Sequence, residues 1–155
     1  MEILIGPATV ADAGELLTVQ RAAFLAEGAL NNSFTLPPLT ETVDEVRAAL
    51  ADPDTVVLAA RLGHRLVGSV RARIVARTGH IARLAVAPDL QGHGLGRRLT
   101  TAVEAAVQDR VDRFELFTGA TSEANLRLYR ALGYVETGWG PGAAPVGITY
   151  LEKRV

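Results

Sequence analysis

Apolar positions in this chain recur in two rhythms, and the switches between them mark out its elements. "EILIGPA" (residues 2–8) predicts a short first strand, ended by Pro7. "TVADAGELLTVQRAAFLAEG" (9–28) changes to a helical spacing, with Leu16, Val19, Ala23 and Phe24 on one face and Thr9 or Asp12 as caps. "ALNNSFTLPPLTET" (29–42) breaks the rhythm with Asn-Asn and Pro-Pro and is expected to be an exposed loop. "TVDEVRAALADP" (42–53) predicts a second helix, capped by Thr42 with Glu45 three residues on, as in a capping box.

Strand rhythms follow. "TVVLAARL" and "RLVGSVRARIV" flank Gly63-His64, a hairpin turn. The second run alternates Val70, Ala72 and Ile74 with Arg71 and Arg73. "HIARLAVAP" is the next strand and stops at Pro88. "LGRRLTTAVEAAVQDR" carries a helical stripe of Leu95, Leu99, Ala102, Val103 and Ala106. "FELFTG" is a short buried strand. "SEANLRLYRALGY" is a helix with Ser122 as cap and Gly133 as terminator. "YVETGWG" and "VGITYLEKRV" complete the order as two strands. The pattern is therefore β-α-α-β-β-β-α-β-α-β-β: an α/β chain of the mixed-sheet (α+β) kind, antiparallel early and with one β-α-β unit. Its 155 residues suit one domain spanning 1–155.

Composition narrows the chemistry. With 48% hydrophobic and 21% charged residues, the chain reads as an ordinary folded domain. A net charge of −1 provides no field for nucleic acid or an anionic membrane, so neither is an expected partner. The absence of cysteine excludes disulfides, thiolate zinc sites and a cysteine nucleophile. His64, His80 and His93 lack ligand spacing, so no metal is expected. No signal segment or membrane span is read, and the expected location is cytoplasmic.

The segment that asks for an explanation is "DLQGHGLGRR", Asp89–Arg98. A glycine-rich turn between strand and helix brings backbone amides close to an anion, at the positive end of the helix dipole. Arg97 and Arg98 add charge-assisted donors. The P-loop pattern fails because no Gly-Lys-Ser/Thr is present. The dinucleotide pattern G-x-G-x-x-G fails because Gly92, Gly94 and Gly96 are spaced one residue short, and mid-chain.

What remains is Q-x-x-G-x-G, Gln91 to Gly96, preceded by "LAVAPD". It resembles the pyrophosphate loop of the GNAT superfamily of acyl-CoA-dependent N-acyltransferases. "NLRLYRALGYVETG", about thirty residues on, resembles that superfamily's second signature, and the element order agrees over nearly the whole chain. The resemblance implies a GNAT-like fold with a central splayed strand pair. It implies transfer of an acetyl group from acetyl-CoA to a primary amine of a small molecule or peptide, by direct attack in a ternary complex. Backbone groups of Leu84, Ala85 and Val86 would pair with the pantetheine arm and polarise the acetyl carbonyl. Gln91, Gly92, Gly94, Gly96 and Arg97 would hold the pyrophosphate. His93 and Leu95 lie in the same loop, with side chains expected to point outward. Tyr129 would protonate the leaving thiolate. Asn125 or Ser122 would bond the pantetheine, with Ser122 standing where relatives carry an Asn.

The general base is less defined, because the strand before the loop carries no acid where many relatives have Glu. His80, Glu115 and Glu27 are the candidates, with a water chain as a further route. Arg83 is a candidate contact for an anionic part of the acceptor. The resemblance places the acceptor pocket at the 29–42 loop and at "WGPGAAPVG" (139–147), with Phe34, Trp139 and Tyr150 as candidate walls. The resemblance allows a homodimer through the last strands. The alternative to an enzyme is a non-catalytic acyl-CoA-binding sensor on the same fold.

Overall fold

Val56 to Ala60 is an unbroken apolar run, and its alternate residues enter two different cores. The computed structural model describes residues 2–30, 35–120, 122–140 and 147–155. In chain order the elements are β1 (Ile3–Pro7), α1 (Ala13–Leu30), α2 (Pro37–Thr40), α3 (Val43–Ala51), β2 (Thr55–Leu62), β3 (Arg65–Val75) and β4 (Thr78–Val86). They continue as α4 (Leu95–Val107), β5 (Arg113–Gly119), α5 (Glu123–Ala131), β6 (Val135–Gly140) and β7 (Ile148–Arg154). The strands form one sheet in the order β1-β2-β3-β4-β5-β7-β6. Every neighbouring pair is antiparallel except β4–β5. The expected mixed α/β order is present.

Leu58 and Ala60 face α4, where Leu99, Val103 and Val107 are fully buried against Val70, Ala72 and Leu116. Each such aliphatic side chain contributes about 1.5–3 kcal/mol of transfer free energy. Val57 and Ala59 face the other way, against Leu16 and Leu17 of α1 and Val46 of α3. A strand covered on both faces needs no polar alternation. Gly68 lets α4 sit close: a Cβ there would stand 3.0 Å from both Leu99 and the Ala85 carbonyl.

Local signals placed most boundaries. Thr42 and Glu45 form the expected capping box at α3, and Gly133, at φ +95°, ends α5. Three expectations are corrected. Pro37–Thr40 is one helical turn rather than loop, since two prolines at its start supply φ and need no donor. Ala106 is exposed, while Thr100, Glu104 and Val107 are buried on α4. The buried Glu104 is held by Tyr134 Oη, which donates at 2.7 Å, and by Lys153 Nζ at 2.9 Å. Leu95 does not point outward: it is 3% exposed and belongs to the core, because it opens the buried stripe of α4. Among the described residues no helix is long and apolar enough to cross a membrane.

Candidate active site

β4 and β5 pair only at Thr78–Arg113, Gly79–Phe114 and His80–Glu115, and from Ile81 onward they part. The cause lies on the other side of β4. Ser69 pairs with Ala85 and Arg71 with Ala82, so Arg83 and Leu84 together oppose Val70 in a β-bulge. Arg83 takes a left-handed φ of +57° there. A bulge leaves its extra residue outside the ladder and bends the strand. The gap that opens, roofed by α1 and α5, holds two joined pockets.

The larger pocket, about 730 Å³, runs from Leu84 and Val86 to the glycine loop, between Ala23–Glu27 of α1 and the first turns of α5. Gly92 and Gly94 both have φ +81°, which side-chain-bearing residues rarely adopt. Gly94 stands at the N-cap of α4 with no side chain to cap it, so the first amides of that helix are left for a ligand. Gly96 faces Leu84 and Leu128, which a Cβ would meet at 3.7 Å. Gln91 Nε2 donates to the Val86 carbonyl at 3.2 Å, tying the loop to the end of β4. The lining includes Arg97 but not His93, which is exposed. A pocket leading to the uncapped first turn of α4 and a guanidinium fits a ligand with an anionic end, as coenzyme A has. Ala85 is 1% exposed with its side chain in the core, so only its backbone is available to a ligand.

The smaller pocket, about 360 Å³, lies between Ile81–Leu84 of β4 and Phe117–Gly119 of β5. Phe24, Glu27, Leu84 and Asn125 border both pockets and form the passage between them. Tyr129 lines the smaller one and is 7% exposed. Burial, reinforced by the negative charge of Glu27, pushes its phenol well above the usual tyrosine range, so it stays protonated. Tyr129 sits edge-on to Tyr134 at 5.8 Å between centroids, and no described residue takes a hydrogen bond from its hydroxyl. Asn125 Nδ2 donates to Thr118 Oγ1 at 3.2 Å, joining α5 to β5 at the pocket wall.

Of the three base candidates, Glu27 alone borders the pockets. Ser122 holds it: the hydroxyl donates to Glu27 Oε1 at 3.2 Å. Ser122 thus occupies the N-cap position of α5 without capping it. His80 and Glu115 lie together, 4.0 Å apart, at the paired end of β4–β5 and outside both linings. Glu115 is instead paired with Arg113 at 3.2 Å. Trp139 is 70% exposed on β6 and lines neither pocket; its ring lies over Gly147. Tyr150 does line the smaller pocket, and Phe34 lies outside the described residues.

Leu36–Pro38, within the 29–42 segment, forms a wall of the smaller pocket. Sequence reasoning missed Glu41, which stands behind Arg83. It bonds Arg71 at 3.0 and 3.1 Å, Gln20 at 3.0 Å and Arg83 at 3.4 Å. Burial raises the Glu41 pKa, but the bonds from Arg71 and Gln20 and the charges of Arg71 and Arg83 outweigh it and hold the carboxyl below its ordinary value. No local pattern marks such a long-range cluster.

A mixed sheet opened beside a glycine-rich helix N-terminus, with a buried tyrosine across the gap, defines an acyl-CoA-binding transferase fold. The acetyltransferase (GNAT) family model matches residues 26–134, and the chain belongs to that family. It is 33% identical to the mycothiol acetyltransferase of Kineococcus radiotolerans over 96 residues, 60% of this chain. The chain spans about a third of that curated relative, whose matched part is 32% of its length. Its fold is that of the PaiA N-acetyltransferase from Thermoplasma acidophilum, solved with coenzyme A: TM-score 0.84, 16% identity, 100% of both chains. The ribosomal-protein-S18-alanine N-acetyltransferase of Escherichia coli superposes with TM-score 0.82 at 16% identity, over 99% of this chain and 94% of that one.

Gly94→Val is expected to weaken coenzyme A binding about tenfold. A β-branched residue at φ +81° costs roughly 1–2 kcal/mol, and the loop relaxes by turning its amides away from the ligand. Calorimetric titration with coenzyme A checks this; an unchanged Kd overturns the role given to the loop.

Proposed function

We propose that the chain is an acetyl-CoA-dependent N-acetyltransferase working by direct transfer, with Glu27 as base and Tyr129 as acid. The observation that carries this reading is the passage between the two pockets. Glu27 and Asn125 border both sides of it, and Tyr129 lines the acceptor side.

In this reading the larger pocket takes acetyl-CoA as substrate. The first-turn amides of α4 and Arg97 hold its pyrophosphate. The freed backbone of the bulge turns toward the thioester carbonyl and stabilises the charge that develops on its oxygen. The acceptor amine attacks from the smaller pocket in its neutral form. Glu27 takes the proton that the nitrogen sheds as the C–N bond forms. The C–S bond breaks, and Tyr129 donates to the departing sulfur. Burial keeps the phenol protonated at every working pH, and because the same burial makes a free thiolate costly, the proton passes to sulfur as the C–S bond breaks; solvent then reprotonates Tyr129 before the next turnover. Two opposed proton-transfer groups at one passage favour catalysis over binding alone.

Thiol release from acetyl-CoA over a panel of primary amines tests the reading, with calorimetry reporting acetyl-CoA binding separately. Turnover of at least one amine is expected. Binding without any turnover leaves the sensor; no binding removes both. Glu27→Gln is expected to lower kcat/KM for the amine about 10- to 100-fold, with acetyl-CoA affinity changed less than twofold. The partner hydroxyl on Ser122 can still donate to the new amide oxygen. Unchanged kcat/KM in Glu27→Gln would pass the base role to a water chain.

A further inference from the structure

Glu41 pairs with Arg83, a lining residue of the smaller pocket, and its oxygens are largely taken. Arg71 Nη1 donates to Oε2 at 3.1 Å and Nη2 to Oε1 at 3.0 Å. Gln20 Nε2 adds a bond to Oε1 at 3.0 Å. Arg83 comes last, with only its Nε reaching Oε1 at 3.4 Å. Two guanidiniums therefore share one carboxylate. The two-pronged pairing neutralises Arg71, and Arg83 keeps most of its charge.

Arg83 lines the pocket with its side chain 21% exposed. Neither of its Nη atoms has a hydrogen-bond partner among the described residues. A largely buried cation with open donors is unfavourable unless an anion meets it. The backbone that presents it is strained, at φ +57°, and such residues cluster at ligand sites. Glu27 gives the same pocket a negative group, and Phe24, Leu36, Ile81 and Ile148 make much of the rest apolar.

Resting on the acetyltransferase reading above, we infer that the acceptor is an amino carboxylate on an apolar body, its carboxylate bound by Arg83 and its amine directed to Glu27. A plain diamine has nothing to offer Arg83. The guanidinium fork matches a carboxylate in two parallel bonds, whereas an amide can neutralise no charge.

The test is direct binding, which needs no turnover. Coenzyme A-loaded protein is titrated calorimetrically with N-acetyl-phenylalanine and N-acetyl-leucine, and with the primary amide of each. The acids are expected to bind at least tenfold tighter than their amides. In Arg83→Met the ratio should fall to about one, with coenzyme A affinity kept as the check on folding. Arg83→Lys should retain part of the preference. Equal affinity of acid and amide in the unmodified protein, binding of neither, or an undiminished ratio in Arg83→Met overturns the inference. Should Arg83→Met fail to hold coenzyme A, the Arg83→Lys ratio decides. Acids that bind while no amine releases thiol would sink the transferase reading and leave the anion site standing. Equal turnover of amino acids and their amides would do the reverse.

Discussion

Tyr129→Phe is expected to lower kcat for acetyl transfer by about 10²- to 10⁴-fold, the usual contribution of a positioned acid. The KM for acetyl-CoA should hardly move, because Tyr129 lines the smaller pocket and not the larger one proposed to hold acetyl-CoA. The variant should fold normally. The ring keeps its edge contact with Tyr134. The lost hydroxyl leaves no described partner unsatisfied, so the usual penalty for removing half of a buried hydrogen bond does not arise. Steady-state thiol release and a thermal melt on the same sample check both halves. Full activity at unchanged stability would mean that the sulfur leaves without help from this residue. The pKa shift adds a pH test. The phenol is raised above its unfolded value of ~10, so its contribution to stability is complete below that pH and is lost only as pH rises toward the folded value. Tyr129 ionisation should therefore leave the activity profile between pH 6 and 9 untouched.

Glu41→Ala is expected to destabilise the fold by about 3–5 kcal/mol, the cost of leaving buried charges without their partner. For a chain of this size that corresponds to a fall in Tm of roughly 6–20 °C. The carboxylate is 9% exposed and faces two guanidiniums, of which Arg71 is 14% exposed. Removing Arg83 instead should cost much less, because Glu41 keeps Arg71 and Gln20. The acid limb follows from the same cluster. The folded pKa of Glu41 lies below its unfolded value of ~4.3, so its contribution is fully present above that pH. It is lost as pH falls through the folded value. Melting curves between pH 3 and 6 should show an acid-dependent loss of Tm that Glu41→Gln lacks. Equal acid sensitivity in the two proteins would assign it to other carboxylates.

The lining of the larger pocket was largely legible in the chain, and that of the smaller pocket only in part. Gly92, Gly94 and Gly96 carry information locally, because a positive φ or a missing Cβ is a demand on one residue. The cap at Thr42 and the stop at Gly133 are local in the same sense. Tyr129 was singled out because it stands inside a motif, and the structure buries it at the smaller pocket. The base could not be selected that way. Glu27, His80 and Glu115 are equally plausible along the chain, and only packing α1 against α5 brings Glu27 to Ser122 and the passage. Arg83 was picked out by position, but neither the bulge that turns it nor Glu41 was visible. Val70 opposes two residues rather than one only once β3 and β4 are paired. Glu41 and Arg83 stand 42 residues apart.

Hydrophobic period, turn chemistry and glycine placement were enough to specify the order of the strands and longer helices and the glycine-rich loop, because each acts within a few residues. Which acid faces the passage, which arginine keeps its charge and where the strands separate were decided by the tertiary structure. Those outcomes depend on burial and on distances between side chains remote in sequence, and electrostatic strength is set by that burial rather than by residue type.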